Sequence, residues 1–270
     1  MKRKLLMAVL FTCLMLPKAH ADEMAPLDQQ TRQFGLEAAD ITYREPGESV
    51  KETGPLVGIY GVYDYRSPQF GANVFHLDGH VDYSNVDYTG SGKINDISDV
   101  TGEPRTWLGH DFGSSQALLT PYIGLGYRIL YDHLDRKTSS TGAEGYDRLS
   151  QYLYSPVGFE VSTEAIAGWR LGLNAEYDIF IHGWQRSYLS DVDSGLPNVT
   201  NDQSHGYGIR GSFDIVKKGN TVNYVISPYI RYWNVRQSST TTAIGTLFEV
   251  SGYEPANHST EIGCRFGVEF

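Results

Sequence analysis

Residues 73–84 read Asn-Val-Phe-His-Leu-Asp-Gly-His-Val-Asp-Tyr-Ser. Phe75, Leu77, Gly79, Val81 and Tyr83 fall on one side of an extended chain, and His76, Asp78, His80 and Asp82 on the other. A period of two marks a strand with unlike faces. Residues 169–182 repeat it: Trp169, Leu171, Leu173, Ala175, Tyr177, Ile179 and Ile181 oppose Arg170, Asn174, Glu176, Asp178 and His182. The last run sets Ile262, Cys264, Phe266, Val268 and Phe270 against Glu261, Arg265 and Glu269. Working outward, the pattern predicts ten strands, at 33–44, 55–66, 73–88, 104–112, 119–133, 151–162, 167–182, 205–216, 221–235 and 260–270. The first is the least regular, since Leu36 and Ile41 share a face only if Ala38-Ala39 carries a bulge.

The predicted connections alternate in length. Short ones fall at 67–72, 113–118, 163–166 and 217–220, and long ones, rich in Ser, Thr, Gly and Asp, at 89–103, 134–150, 183–204 and 236–259. The connection at 45–54 is intermediate. An even number of strands with short turns at one end and long loops at the other predicts an all-β, up-and-down antiparallel transmembrane β-barrel, with short periplasmic turns and long extracellular loops.

Composition narrows the field. Of 270 residues, 19 are Tyr and 29 Gly, and the formal charge is −10. An acidic chain without a Lys/Arg cluster is a poor nucleic-acid binder, and 13% aromatics argue against disorder. After the N-terminus no run approaches the roughly 20 apolar residues of a helical span. The N-terminus itself has a basic Lys2-Arg3-Lys4, an apolar Leu5 to Leu16, Pro17, and Ala19-His20-Ala21 before Asp22. That order predicts a cleavable signal peptide over 1–21. Thr12 before Cys13 is the wrong residue for lipoprotein processing. Cleavage would leave a charge of −14 and Cys264 as the sole cysteine, so the exported chain can form no internal disulfide.

The two faces differ in kind. The polar face predicts a lumen charge network of Asp64, Asp78, His80, Asp82, Arg128, Arg170, Glu176, Asp178, Arg210, Asp214, Arg231, Glu261 and Arg265, with Arg66, Arg105, Asp111, Glu160 and Glu269 on the same face. Arginine and carboxylate pair well in a fixed geometry. Lys51, Lys93, Lys137, Lys217 and Lys218 all fall in predicted loops or turns, a partition that suits a closed polar interior better than a wetted surface. On the apolar face, Tyr43, Tyr65, Tyr83, Trp169, Tyr177, Tyr207, Tyr224 and Tyr232 lie near strand ends, as the aromatic girdles of a membrane barrel do.

With its signal peptide, alternating strands and closing Gly-x-Val-x-Phe, the chain resembles the bacterial outer-membrane β-barrel proteins of the small monomeric type. The resemblance covers the whole mature chain in architecture and 260–270 as a motif. It implies a bacterial outer-membrane location, outer-membrane lipid and lipopolysaccharide as surroundings, and an assembly signal at Phe266, Val268 and Phe270 read by the barrel-assembly machinery. The organisation expected is a signal peptide at 1–21, a short periplasmic segment at 22–32 and the barrel at 33–270. Pro-Tyr-Ile at 121–123 and again at 228–230 is a weak internal echo.

A ten-stranded barrel is about 20 Å across, so side chains fill most of its bore. Gly58, Gly124, Gly126, Gly172, Gly208, Gly263 and Gly267 face inward by parity and leave room for long Arg and Tyr side chains. Expected, then, is a largely filled polar lumen and a structural or surface-interaction role, with any extracellular ligand met through the long loops. A narrow porin-like channel for small solutes is the alternative. Asp78-Gly79-His80 resembles the Asp-x-His of the omptin proteases, and Asp191-Val192-Asp193 their Asp-x-Asp. Here, however, the two occur in reversed order, and Asp78 and His80 come early on their strand, in the periplasmic half. An omptin-like hydrolase is therefore the distant alternative, and no catalytic residue is assigned. His76, Asp78, His80 and Asp82 at i, i+2 spacing would need another strand to hold a metal. Asp96, Asp99, Asp191, Asp193 and Asp202 match no ordered calcium loop. No cofactor or metal is expected, and the chain is expected to be a monomer.

Overall fold

Every backbone N–H and C=O that crosses a bilayer needs a partner within the protein, and a sheet closed on itself supplies one to each strand. The computed structural model describes residues 29–67, 72–114, 116–166 and 168–270. The predicted signal peptide and residues 22–28 lie outside the described residues. The strands are β1 (Gln29–Glu45), β2 (Val50–Arg66), β3 (Val74–Thr89), β4 (Lys93–Gly109), β5 (Phe112–Ser114), β6 (Ala117–His133) and β7 (Arg148–Ile166). They continue with β8 (Trp169–Ser187), β9 (Val199–Gln203), β10 (Gly206–Lys217), β11 (Asn223–Val235), β12 (Thr241–Ile244), β13 (Glu249–Gly252) and β14 (Asn257–Glu269). Ten antiparallel staves form the closed barrel. β9 and β10 are successive parts of one stave against β8. β5 is a short addition beside β6, and β12–β13 is a separate hairpin. The seam is β1 against β14, from Arg44↔His258 to Gln33↔Glu269. It extends to the last residue, where Arg32 and Phe270 exchange two backbone hydrogen bonds of 2.8 and 2.9 Å.

The staves are longer than the alternation alone suggests. β4 begins at Lys93 rather than 104, and β3 and β4 meet in a turn of three residues. Much of the predicted loop 89–103, and 50–54 of the intermediate connection, is strand. Seventeen residues at about 3.3 Å each, tilted about 40°, rise some 43 Å, against an apolar belt about 25 Å tall. The excess stands clear of the belt at the long-loop end. There the outer face turns polar while the inner one mixes apolar residues such as Ile94 and Ile97 with acids such as Asp99, so the alternation fades and the composition reads as loop. Lys51, Lys93 and Lys217 accordingly sit at strand ends rather than in loops.

Around the outside runs a continuous exposed apolar belt, including Leu36, Ile59, Leu77, Val81, Ile123, Leu173, Ile226 and Ile262, with relative exposures from 45 to 63%. So large an apolar surface is tolerable in lipid and not in water. Tyr177 stacks on Tyr207, with ring centroids 5.8 Å apart, at the belt's long-loop margin.

β1 departs from the expectation. It runs in unbroken register with β2 and β14, with no bulge at Ala38-Ala39. Leu36 faces out, and Ile41 faces in, where it packs with Val86, Ile94, Ile97 and Leu134. The same parity turns Tyr43 inward, so it is not a girdle residue; its hydroxyl donates to Glu45 at 2.7 Å. A bulge does occur on β8, opposite Leu153/Tyr154. It leaves Phe180 inside, as alternation has it, and turns His182 outside, against the simple alternation.

Candidate functional site

The bore is occupied in layers. At the short-turn end Val74, Trp107 and Tyr122 form an apolar group, with His76 stacked on Trp107 at 4.3 Å and Trp107 on Tyr122 at 4.4 Å between centroids. At the long-loop end lie the Ile41 group and a second cluster of Tyr152, Tyr154, Phe180, Trp233 and Val235. Between these layers charged side chains converge from β1, β2, β3, β4, β6, β8, β10, β11 and β14.

Their ion pairs run as one alternating chain across the bore. Arg265 Nε donates to Glu37 at 2.8 Å. Arg231 grips Glu37 with both terminal nitrogens, at 2.8 and 3.0 Å, and reaches Glu261 at 3.1 Å. Arg128 joins Glu261 at 2.7 Å and Glu103 at 3.5 Å. Glu103 also accepts from Arg210 and from the Tyr154 hydroxyl. Arg210 continues to Asp178 at 2.7 Å and to Glu176 at 3.2 Å. Glu176 accepts from Arg105 and from Tyr122 Oη, the latter at 2.8 Å. Arg105 holds Asp78 at 3.0 Å, and His76 lies between Asp78 and Asp64 at 2.8 and 2.7 Å. Rings flank the guanidinium groups: Arg231 lies 4.2 Å from the Tyr229 centroid and Arg265 4.7 Å from that of Tyr60.

The network residues expected from sequence are thus distributed as follows. Asp64, Asp78, Arg128, Glu176, Asp178, Arg210, Arg231, Glu261 and Arg265 belong to the chain. Asp214 stands apart and accepts from Ser227. Arg170 does not meet Glu176 or Asp178. It lies near the short-turn end, half-buried, and bonds Glu269 from across the bore. His80 and Asp82 lie beside the chain without hydrogen bonds. Two central members escaped the reading. Glu37 sits on the strand whose parity was blurred by the supposed bulge, and Glu103 fell within a predicted loop. The signal for Glu37 was its i, i+4 parity with Ile41.

A glycine makes one of these meetings fit. Glu37 pairs with Gly58 across β1–β2, and Gly58 with Asp82 across β2–β3. A Cβ at Gly58 would overlap the Asp82 carboxylate, so the bare position lets Glu37 and Asp82 approach over it.

The motif candidates separate. Asp191 and Asp193 lie between β8 and β9 and accept from the backbone N–H groups of Asp147 and Gly195, at 3.0 and 2.8 Å. Among the described residues no hydrogen bond or ion pair joins them to Asp78 or His80. Of the calcium candidates, Asp96 and Asp99 are on β4 and Asp202 is on β9, where it meets His182 at 3.1 Å. These residues do not converge. At the long-loop end Glu254, buried between β13 and β14, takes a hydrogen bond from Arg148, which also holds Glu45 at 3.2 Å. Burial outweighs the attraction of Arg148 and pushes the Glu254 carboxyl up to about 7.

No protein-family profile and no curated protein matches this chain. Solved structures do. The outer-membrane protease OmpT of Escherichia coli superposes with a TM-score of 0.52 at 9% identity, covering 90% of this chain and 96% of that one. A deletion mutant of TodX, a monoaromatic hydrocarbon channel, matches with a TM-score of 0.34 at 8% identity, covering 91% of each chain. At such identities the likeness is one of architecture: this chain has the closed ten-stranded β-barrel fold of bacterial outer-membrane proteins.

Proposed function

We propose that this protein is an outer-membrane barrel whose bore is closed by its own side chains, and that it acts as a structural or surface-interaction element through its long-loop end, facing outward from the cell. The observation that carries this reading is the unbroken chain of arginine and carboxylate pairs from Arg265 to Asp64, capped on both sides by aromatic and aliphatic layers. Passage of a solute would require parting buried ion pairs, each stabilised by its partner and costly without it. The outward-facing end supports the interaction role. On the β12–β13 hairpin, Ile244 and Leu247 are 82 and 72% exposed, beyond the lipid-facing belt, where apolar surface gains by being covered. A hydrolytic role has no such support, because Asp191 and Asp193 bind the backbone N–H groups of Asp147 and Gly195 rather than Asp78 or His80.

The test is single-channel recording of the purified barrel in a planar bilayer. A closed bore gives no steady conductance. A stable open level of even a few tens of picosiemens would replace this proposal with the narrow-channel alternative.

A further inference from the structure

Among the described residues, two potential ligands stand out because the ion-pair chain leaves them unused. His80 is 4% exposed and Asp82 1%, yet neither ring nitrogen of His80 and neither oxygen of Asp82 has a hydrogen-bond partner. Burying polar atoms in this state is costly. The nearest atoms do not relieve it. His80 Nε2 lies 3.4 Å from Asp82 Oδ2 and 3.5 Å from Glu103 Oε2 without hydrogen-bond geometry, and Arg231 approaches Asp82 only to 3.8 Å.

The charge balance points the same way. Eight carboxylates (Glu37, Asp64, Asp78, Asp82, Glu103, Glu176, Asp178 and Glu261) face five arginines (Arg105, Arg128, Arg210, Arg231 and Arg265) and His76. Carboxylates thus outnumber the basic side chains that meet them, and a bound cation would offset part of the excess.

We infer that His80, Asp82 and Glu37 form a binding site for one divalent transition-metal ion, with Zn²⁺ as its best-suited occupant. One ligand atom from each of the three lies within 4.8 Å of the others. Tetrahedral ligands about 2.1 Å from an ion stand roughly 3.4 Å apart, a closure within reach of small side-chain rotations. Asp82 reaches Glu37 over Gly58, so the three come from β1 and β3 at one level of the bore. Glu37 already accepts from Arg231, Arg265 and Tyr229. The Tyr229 bond, at 3.1 Å, is the longest and is the one the ion displaces. An imidazole with two carboxylates favours Zn²⁺ over Ca²⁺ and Mg²⁺, which prefer oxygen donors alone. Because the site is enclosed, the ion enters as the barrel folds.

The experiment is to refold the full barrel in detergent with one equivalent of Zn²⁺, dialyse it against metal-free buffer, and measure bound zinc by atomic emission. The expected result is close to one Zn²⁺ per chain, no retained Ca²⁺ or Mg²⁺, and an X-ray absorption edge fitted by nitrogen and oxygen ligands with one imidazole. His80→Gln should lower retained zinc at least tenfold, whereas His182→Gln, on the outer face, should leave it unchanged. Retention below a tenth of an equivalent in the folded wild type overturns the site. So does an absorption spectrum needing two or more imidazoles, or full retention in folded His80→Gln. The wild-type content and spectrum decide the matter even if His80→Gln fails to fold. A barrel that conducts but retains zinc refutes the closed bore and leaves this site standing.

Discussion

Replacing Arg231 with methionine removes the middle of the ion-pair chain while keeping most of the side chain's volume. Arg231 is buried and supplies two hydrogen bonds to Glu37 and one to Glu261, at 2.8, 3.0 and 3.1 Å. Its loss does not strand either carboxylate completely, since Glu37 keeps Arg265 and Glu261 keeps Arg128. Breaking a buried pair by deleting one partner costs about 3–5 kcal/mol, and the surviving partners place this case near the lower end, about 3 kcal/mol. With a denaturant slope near ~3 kcal/mol per molar urea, the unfolding midpoint falls by roughly 1 M. The assay is urea unfolding of the barrel in lipid vesicles, followed by tryptophan fluorescence and by the mobility difference between folded and boiled protein on a gel. The double variant Arg231→Met with Glu37→Gln should recover much of the loss, because the less compensated carboxylate is then gone. A loss under about 1 kcal/mol, or a double variant no better than the sum of its parts, would mean that water already screens these charges. The bore would then be wetted rather than closed by its ion pairs.

Three further outcomes follow from the same geometry. Arg170→Ala should cost about 1–2 kcal/mol in the same unfolding assay, less than Arg231→Met, because Arg170 is about a third exposed and the buried Glu269 keeps the hydrogen bond from Asn223. Deleting Phe270, whose backbone closes the seam against Arg32 and whose ring meets Phe34 edge-on at 5.7 Å, should sharply reduce assembled protein in the membrane fraction. Glu254 gives the long-loop end a pH dependence: its folded-state value is raised to about 7, so its contribution is fully present below about 4.5 and is lost as pH rises through 7. Hydrogen exchange at the Ser238–Glu254 backbone pair should therefore quicken from pH 5 to pH 8 beyond the intrinsic pH effect, and Glu254→Gln should flatten that excess.

The alternation at 73–84, 169–182 and 260–270 was enough to establish ten staves, an apolar exterior and a charged interior. Each of these is a local property, because successive side chains in a strand point to opposite faces whatever the strand pairs with. The outward placement of Phe266 and Phe270 on the last strand was legible for the same reason. The height of the staves was less so. Lys93 to Gly102 has no lipid to face on its outer side, and without that demand its sequence carries little alternation. Glu103 was lost with it, and a supposed bulge at Ala38-Ala39 hid Glu37 and misassigned Tyr43. Partners across the bore lay beyond the sequence altogether. Whether Arg170 meets Asp178 on its own strand or Glu269 on β14 depends on the register of each successive pairing around the barrel, and a one-residue slip in any of them moves every inward side chain beyond it. Likewise His80 and Asp82 read as ordinary polar-face residues. Only the closed sheet, with Gly58 bare between Glu37 and Asp82, decides that they are buried together and left without partners.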